Sequence, residues 1–132
     1  VQTCALPICH AKNLSVYFPP RLGARLTPFY DLLCTSIYPG LSNQFAFKIG
    51  GENKPSHIGK AELCLMAKEL GFKEQYVLKI GQELSEELQA QVGATSAEMN
   101  LVVTAGTERT MVERLTQHIS SSTSQLQKRF FQ

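Results

Sequence analysis

The sequence predicts a mainly α-helical fold opened by a short β-hairpin, and three observations carry that prediction. Apolar and polar residues alternate over residues 14–18 and then meet Pro19-Pro20, with a second short run after Gly23. From about residue 56 the apolar residues recur instead at three- and four-residue steps, the period of a helix face. The composition, 43% hydrophobic and 18% charged over 132 residues, supports one globular domain with a core and excludes a disordered chain.

Each element follows in order. Residues 14–18 and 25–29, the latter carrying Leu26 and Phe29, are joined by a Pro/Gly-rich turn, which is a hairpin signal. Such a hairpin brings the chain near Asn13 beside the chain near Asp31. A loop through Tyr38-Pro39-Gly40 follows, and residues 45–51 read as a further short strand closed by Gly50-Gly51. The first helix has Ala61, Cys64, Leu65 and Lys68 on one side with Leu63, Met66 and Leu70 beside them, and Gly71 is its stop. Residues 72–92 carry a stripe of Tyr76, Val77, Ile80, Leu84 and Leu88, weakened by Gly81 and ended by Gly93. A short helix is expected behind Ser96 as N-cap, through Met99 to Val103. Gly106-Thr107 opens a last helix with Met111, Leu115, His118, Ile119, Leu126 and Phe130 on one face. Residues 120–124, Ser-Ser-Ser-Thr-Ser, are a poor helix interior and are expected to kink or break it.

Charge and cysteine usage narrow the function classes. With 13 basic and 11 acidic residues the net charge is +2, and no basic stripe suggests direct nucleic-acid contact. The apolar runs are too short to span a membrane, and no charged start precedes an apolar leader. Cys4 and Cys9 beside His10 suggest a zinc knuckle, but no CxxC or HxxxH pair completes it. Free thiols in a reducing cytoplasm are the expectation. The first methionine is Met66, and the chain reads as a fragment truncated at its N-terminal side.

The chemistry concentrates around Asn13 and Asp31. Phosphoryl transfer from ATP needs a carboxylate to orient the accepting hydroxyl, and an amide plus a second carboxylate to hold magnesium. Magnesium is a hard ion that keeps waters and phosphate oxygens, so one or two protein oxygens suffice. A kinase catalytic loop places base and amide five positions apart, and five positions before Asn13 stands Ile8. On the residues alone, Asn13 also fits a turn or cap, Asp31 a helix cap, and His10 and Lys12 a solvated surface.

Three blocks in order, "HAKNLSVYF", "RLTPFYDLLCTSIYP" and "FAFKIGGE", resemble the HipA-type serine/threonine kinases, the toxins of bacterial toxin–antitoxin pairs. That family's catalytic loop reads D-x-H-x-K/R-N, its metal-binding Asp sits in an L-x-P-x-Y-D-L/V-L-S-T segment, and a K-I-G-G strand precedes an all-helical tail. The resemblance covers residues 9 to about 92 and implies the helical C-terminal lobe of a kinase-like fold. It implies that Asn13 and Asp31 are Mg2+ ligands, that His10 is a catalytic-loop residue that orders the loop or approaches the phosphates, and that Lys12 offsets ATP phosphate charge. Tyr30 and Leu32 are expected to pack the metal Asp in place, Cys34 to replace a small buried serine, and Lys48 to face either solvent or the loop. The implied partners are a protein substrate, in known members including aminoacyl-tRNA synthetases, and a helix-turn-helix antitoxin.

The family pattern demands Asp where Ile8 stands. Residues 1–8, "VQTCALPI", translate GTT CAG ACG TGT GCT CTT CCG ATC, which resembles the end of a common sequencing adapter. Residues 1–8 are therefore expected to be adapter-derived, with 9–132 the truncated lobe, inactive without its base and upstream ATP-binding part. Two alternatives stay open: a non-catalytic helical interaction module, and a kinase of a lipid or small molecule. Without upstream partner surfaces, the helical part is expected to leave an apolar face exposed.

Overall fold

The computed structural model describes residues 14–30, 34–42 and 44–131. Its chain divides into two units, residues up to Lys48 with Asn53–Ser56, and Ile49–Glu52 with residues from His57 on.

In the first unit the expected hairpin forms. β1 (Val16–Tyr17) and β2 (Arg25–Leu26) are antiparallel, with Val16 opposite Leu26 and Tyr17 opposite Arg25. The Thr27 N–H extends the pairing to the Ser15 carbonyl at 2.9 Å. Leu22 N–H closes the turn on the Pro19 carbonyl at 3.2 Å, with Arg21 at φ 66°. A type II turn needs positive φ at that position and favours glycine. Arg21 adopts it with a Cβ, at a local cost of about 1–2 kcal/mol. No described residue of this unit is buried. A 3-10 turn at Thr35–Ile37 follows. Residues 45–48 do not form the expected strand: Phe45 N–H reaches the Asn53 carbonyl at 2.8 Å, and no ladder continues from that bond among the described residues. Phe45 and Phe47 instead stack on each other, centroids 6.4 Å apart.

The second unit opens on a tight turn. Ile49 and Glu52 exchange backbone bonds of 2.7 and 3.2 Å across Gly50 and Gly51, whose φ values are 56° and 88°. Two positive φ values in succession make a type I′ turn, which only glycine-like residues enter cheaply. Gly50 has a second constraint, because a Cβ there would overlap the backbone carbonyl of Glu62.

α1 (Lys60–Glu69) begins where the Gly59 N–H donates to Glu62 Oε2 at 2.8 Å, the half of a capping box that glycine permits. It ends as the sequence predicts. Gly71 at φ 75° donates to the Lys68 carbonyl at 3.0 Å and Phe72 N–H to that of Ala67 at 2.8 Å, a Schellman motif. The buried face differs from the expected one. Ala67 is fully buried, Leu63, Cys64 and Met66 are half-buried, and Ala61, Leu65, Lys68 and Leu70 are exposed. A methyl group at Ala67 permits a close approach that bulkier neighbours would block.

α2 (Glu74–Val102) and α3 (Gly106–Phe131) form a long helical hairpin, and α2 packs against both α1 and α3. Three expectations are corrected here. Gly93 does not end α2, and Ser96 lies inside it half-buried rather than capping a new helix. Residues 120–124 do not interrupt α3. For residues 120–124 the reason is the seam between the helices, which uses small residues. Ser85 is 7% exposed and Thr123 6%. Gln127 Nε2 donates to Ser85 Oγ at 3.2 Å, and Ser85 Oγ donates to the Gln82 carbonyl at 2.8 Å. A Cβ added at Gly81 would stand 3.1 Å from Phe131 Cζ. Packing thus outweighs weak helix propensity.

The predicted stripe is only partly covered: Val77 is half-buried, Tyr76, Ile80, Leu84 and Leu88 are exposed, and Leu84 and Leu88 line a groove between α2 and α3. These residues leave the apolar face that the sequence predicts for an uncovered helical body. The end of α3 closes on α1: Phe130 and Ile58 are buried, and Arg129 Nη1 donates to the Ile58 carbonyl at 3.3 Å. Among the described residues, Ile58, Ala67 and Phe130 are the buried apolar set.

Candidate functional site

Ile8, His10, Lys12, Asn13, Asp31 and Leu32 lie outside the described residues. The scaffold that leads to them on both sides is described. The chain after Asn13 becomes β1, and the chain before Asp31 leaves β2. Both arms are joined at Ser15. Its carbonyl accepts from Thr27 N–H at 2.9 Å and from Thr27 Oγ1 at 3.3 Å, and its hydroxyl stands 2.9 Å from the Tyr30 hydroxyl.

Tyr30 is 45% exposed, and its hydroxyl makes a cross-hairpin link; its expected packing against Asp31 falls outside the described residues. Ser15 is the residue that motif reading passes over, because its link to Tyr30 spans the whole hairpin. Cys34 is half-buried with Sγ 3.4 Å from Ser36 Oγ, consistent with a small polar group at that position. Lys48 is exposed.

The donor chemistry of Asn13 and Asp31, an amide oxygen and a carboxylate, suits magnesium, which takes hard oxygen ligands and retains waters. Among the described residues no group of three or more His, Cys, Asp or Glu is arranged to hold a metal ion. In the helical unit, Lys68 Nζ meets Glu74 Oε1 at 2.9 Å across the α1–α2 corner. That hydrogen bond, and a second from Cys64, hold the Glu74 carboxyl below its usual range. Desolvation and then the Glu74 contact push the Cys64 thiol up, so it stays protonated and is a poor nucleophile. A groove of about 470 Å³ runs between α2 and α3, lined by Leu84, Leu88, Met99, Leu115 and Ile119 among others. No helix among the described residues is long and apolar enough to cross a membrane.

Comparison with known proteins gives the same family as the motifs. The Sinorhizobium fredii protein named "Putative kinase Y4dM" is 31% identical over 81 residues, covering 61% of this chain and 20% of its own. A second from that organism, named "Putative kinase Y4mE", is 44% identical over 41 residues, covering 31% of this chain and 10% of its own. The chain thus spans a fifth or less of the curated relatives it matches. Among solved structures, the fold is similar to a chain of the Shewanella oneidensis MR-1 toxin–antitoxin complex of HipA, HipB and operator DNA. The TM-score is 0.75 at 21% identity, over 91% of this chain and 28% of that one. With the family profile matching residues 9–92, the chain belongs to the HipA-like C-terminal domain family.

Proposed function

We propose that residues 9–132 are the C-terminal part of a kinase that transfers the γ-phosphate of ATP to a serine or threonine hydroxyl of a protein. The observation that carries the proposal is the hairpin, tied at Ser15, whose two arms lead directly to Asn13 and Asp31. Family membership and the kinase names of the relatives support the reaction class. Asn13 and Asp31 would hold Mg2+, which when bound neutralises phosphate charge and orients the γ-phosphate. Lys12 would add a compact positive charge at the phosphates, and His10 would order the loop between them. The accepting hydroxyl attacks phosphorus, the bond to the β-phosphate oxygen breaks, and ADP leaves. The hydroxyl proton passes to a carboxylate at the position Ile8 occupies, which we assign to an adapter-derived segment, residues 1–8.

Ile8 cannot accept a proton, so the 132-residue chain is expected not to transfer phosphate by itself. The whole protein would act in the cytoplasm and be restrained by a helix-turn-helix antitoxin. HipB in the structural neighbour's complex supports that partner. An aminoacyl-tRNA synthetase is a candidate target. The test is a full-length protein carrying residues 9–132 with Asp restored two residues before His10, incubated with labelled ATP and proteins, lipids or sugars. Label on protein serine or threonine, lost in Asn13→Ala and Asp31→Ala, is the expected result. Label on lipid or sugar alone favours a different substrate class. No transfer from an intact, folded protein leaves the interaction-module reading, which the exposed Leu84 and Leu88 of α2 favour.

A further inference from the structure

We propose that the groove between α2 and α3 is the seat of a helix from the same protein, supplied by the part of the parent chain that precedes residue 9. The inference rests on the reading of residues 9–132 as the C-terminal part of a longer protein.

The lining of the groove suits a helix. Its α2 wall is Leu84, Leu88, Val92 and Met99, and its α3 wall is Leu115 and Ile119. The α2 residues form one stripe of the helix and span about 22 Å at 1.5 Å per residue. Leu84, Leu88 and Met99 are 61%, 48% and 44% exposed. Two packed helices leave a trough along their seam, and a third helix fills such a trough by setting its ridges between theirs. The polar residues beside the walls are already engaged. Gln91 Nε2 donates to Glu87 Oε1 at 3.0 Å, and Thr116 Oγ1 donates to the Val112 carbonyl at 2.8 Å, each bond within its own helix. A polar ligand would leave its own groups unpaired against the aliphatic walls, whereas the apolar stripe of a helix would not.

The length of the parent identifies the source of that helix. The chain spans 20% of the Sinorhizobium fredii relative and 28% of the HipA chain, and its family profile is that of a C-terminal domain. A parent of that length carries most of its residues on the N-terminal side of residue 9. A tethered segment acts at high effective concentration, so it covers an apolar face before a separate partner competes for it. Monomeric proteins rarely leave such faces open.

The experiment uses the full-length parent, purified without partners. Leu88→Cys places a thiol in the groove, and Ala90→Cys places one at an exposed position outside it. Maleimide labelling, read at each residue by peptide mass spectrometry, should be roughly tenfold or more slower at residue 88 than at residue 90. A photo-crosslinking benzoylphenylalanine in place of Gln91, on the rim, should join to a peptide N-terminal to residue 9 of the same chain. Its readout stands even where Leu88→Cys fails to fold. Equal labelling at the two positions overturns the proposal, as does a cross-link confined to residues 9–132. Protection that disappears on dilution, or a cross-link between two copies, overturns it too, because the occupant is then a second molecule. Both readouts are taken without ATP. A parent that transfers no phosphate can therefore still pass, and an active kinase can fail, which keeps this outcome apart from that of the kinase reading. A cross-link to the upstream peptide also withdraws Leu84 and Leu88 from the interaction-module reading.

Discussion

The hairpin unit and the helical unit are held together by different physics. Around β1 and β2 no described residue is buried, and the arms are joined by backbone bonds, the Thr27 hydroxyl on the Ser15 carbonyl and one hydroxyl pair. Leu14, Phe18, Leu22 and Phe29 all face outward. The α2–α3 hairpin has a seam of Gly81, Ser85 and Thr123 that brings two long helices close. A two-stranded hairpin is marginal by itself in water, whereas helices packed along a face gain stability from that contact. The difference teaches that the part nearest the candidate chemistry has the least intrinsic stability. Its geometry must come from local ties such as the bonds of Ser15 to Thr27 and Tyr30.

The largest expected effect tests the helical side. Ser85→Leu places a bulky group in the seam and removes the bond from Gln127, and overpacking of this kind costs about 2–3 kcal/mol. Chemical denaturation followed by the helical circular-dichroism signal should show it. An unchanged midpoint would mean that α2 and α3 are not closely packed there, and the contrast between the units would collapse.

A smaller effect tests the hairpin. Arg21→Gly relieves the positive φ of the turn and should favour the closed hairpin by about 1 kcal/mol at most, since glycine also loses more entropy on ordering. The readout is hydrogen exchange at the Thr27 amide, which donates to Ser15. Its exchange should slow several-fold while the helical unit's denaturation midpoint stays put. Faster exchange would show that the turn tolerates Arg21 without strain and that its side chain contributes something a glycine removes.

What was legible in the sequence follows from where the determining forces lie. Gly71 and Gly106 mark true helix boundaries, and the Pro/Gly turn marks a true hairpin, because backbone chemistry at those residues is local. The seam was not legible. A periodicity argument weights Leu84 and Leu88, yet Ser85 and Gly81 lie inside because the distance to a partner helix selects small residues. That distance is a tertiary quantity with no local signature. Gly93 is a misleading stop signal: it is exposed and a Cβ there would meet nothing within 4 Å, and its helix cost of about 1 kcal/mol is small enough for a 29-residue helix to run through it. The donor pair Asn13 and Asp31, implied by the family motifs, lies outside the described residues, while the hairpin that leads to it was legible in the Pro/Gly turn. The Ser15–Tyr30 link was not, since it joins residues fifteen positions apart through a register that only folding fixes.

The smallest effect separates the units by pH. The Glu74 carboxyl is held below its usual range chiefly by the Lys68 hydrogen bond and next by Cys64, so the folded state binds its proton more weakly than the unfolded chain does. Its contribution is present above the ordinary carboxylate range and is lost as pH falls through the folded value. Lys68 is shifted up by the same contact, and its contribution is lost only in strongly alkaline solution. Both side chains are solvent-exposed, so screening keeps the pair weak. Acidification should therefore loosen the α1–α2 corner slightly, and Glu74→Gln should remove that part of the acid dependence while leaving Thr27 amide exchange unaltered at every pH. If Glu74→Gln leaves the acid dependence of the helical signal untouched, the Lys68–Glu74 contact contributes nothing to the corner, and the helical unit rests on its small-residue seam and its three buried apolar residues.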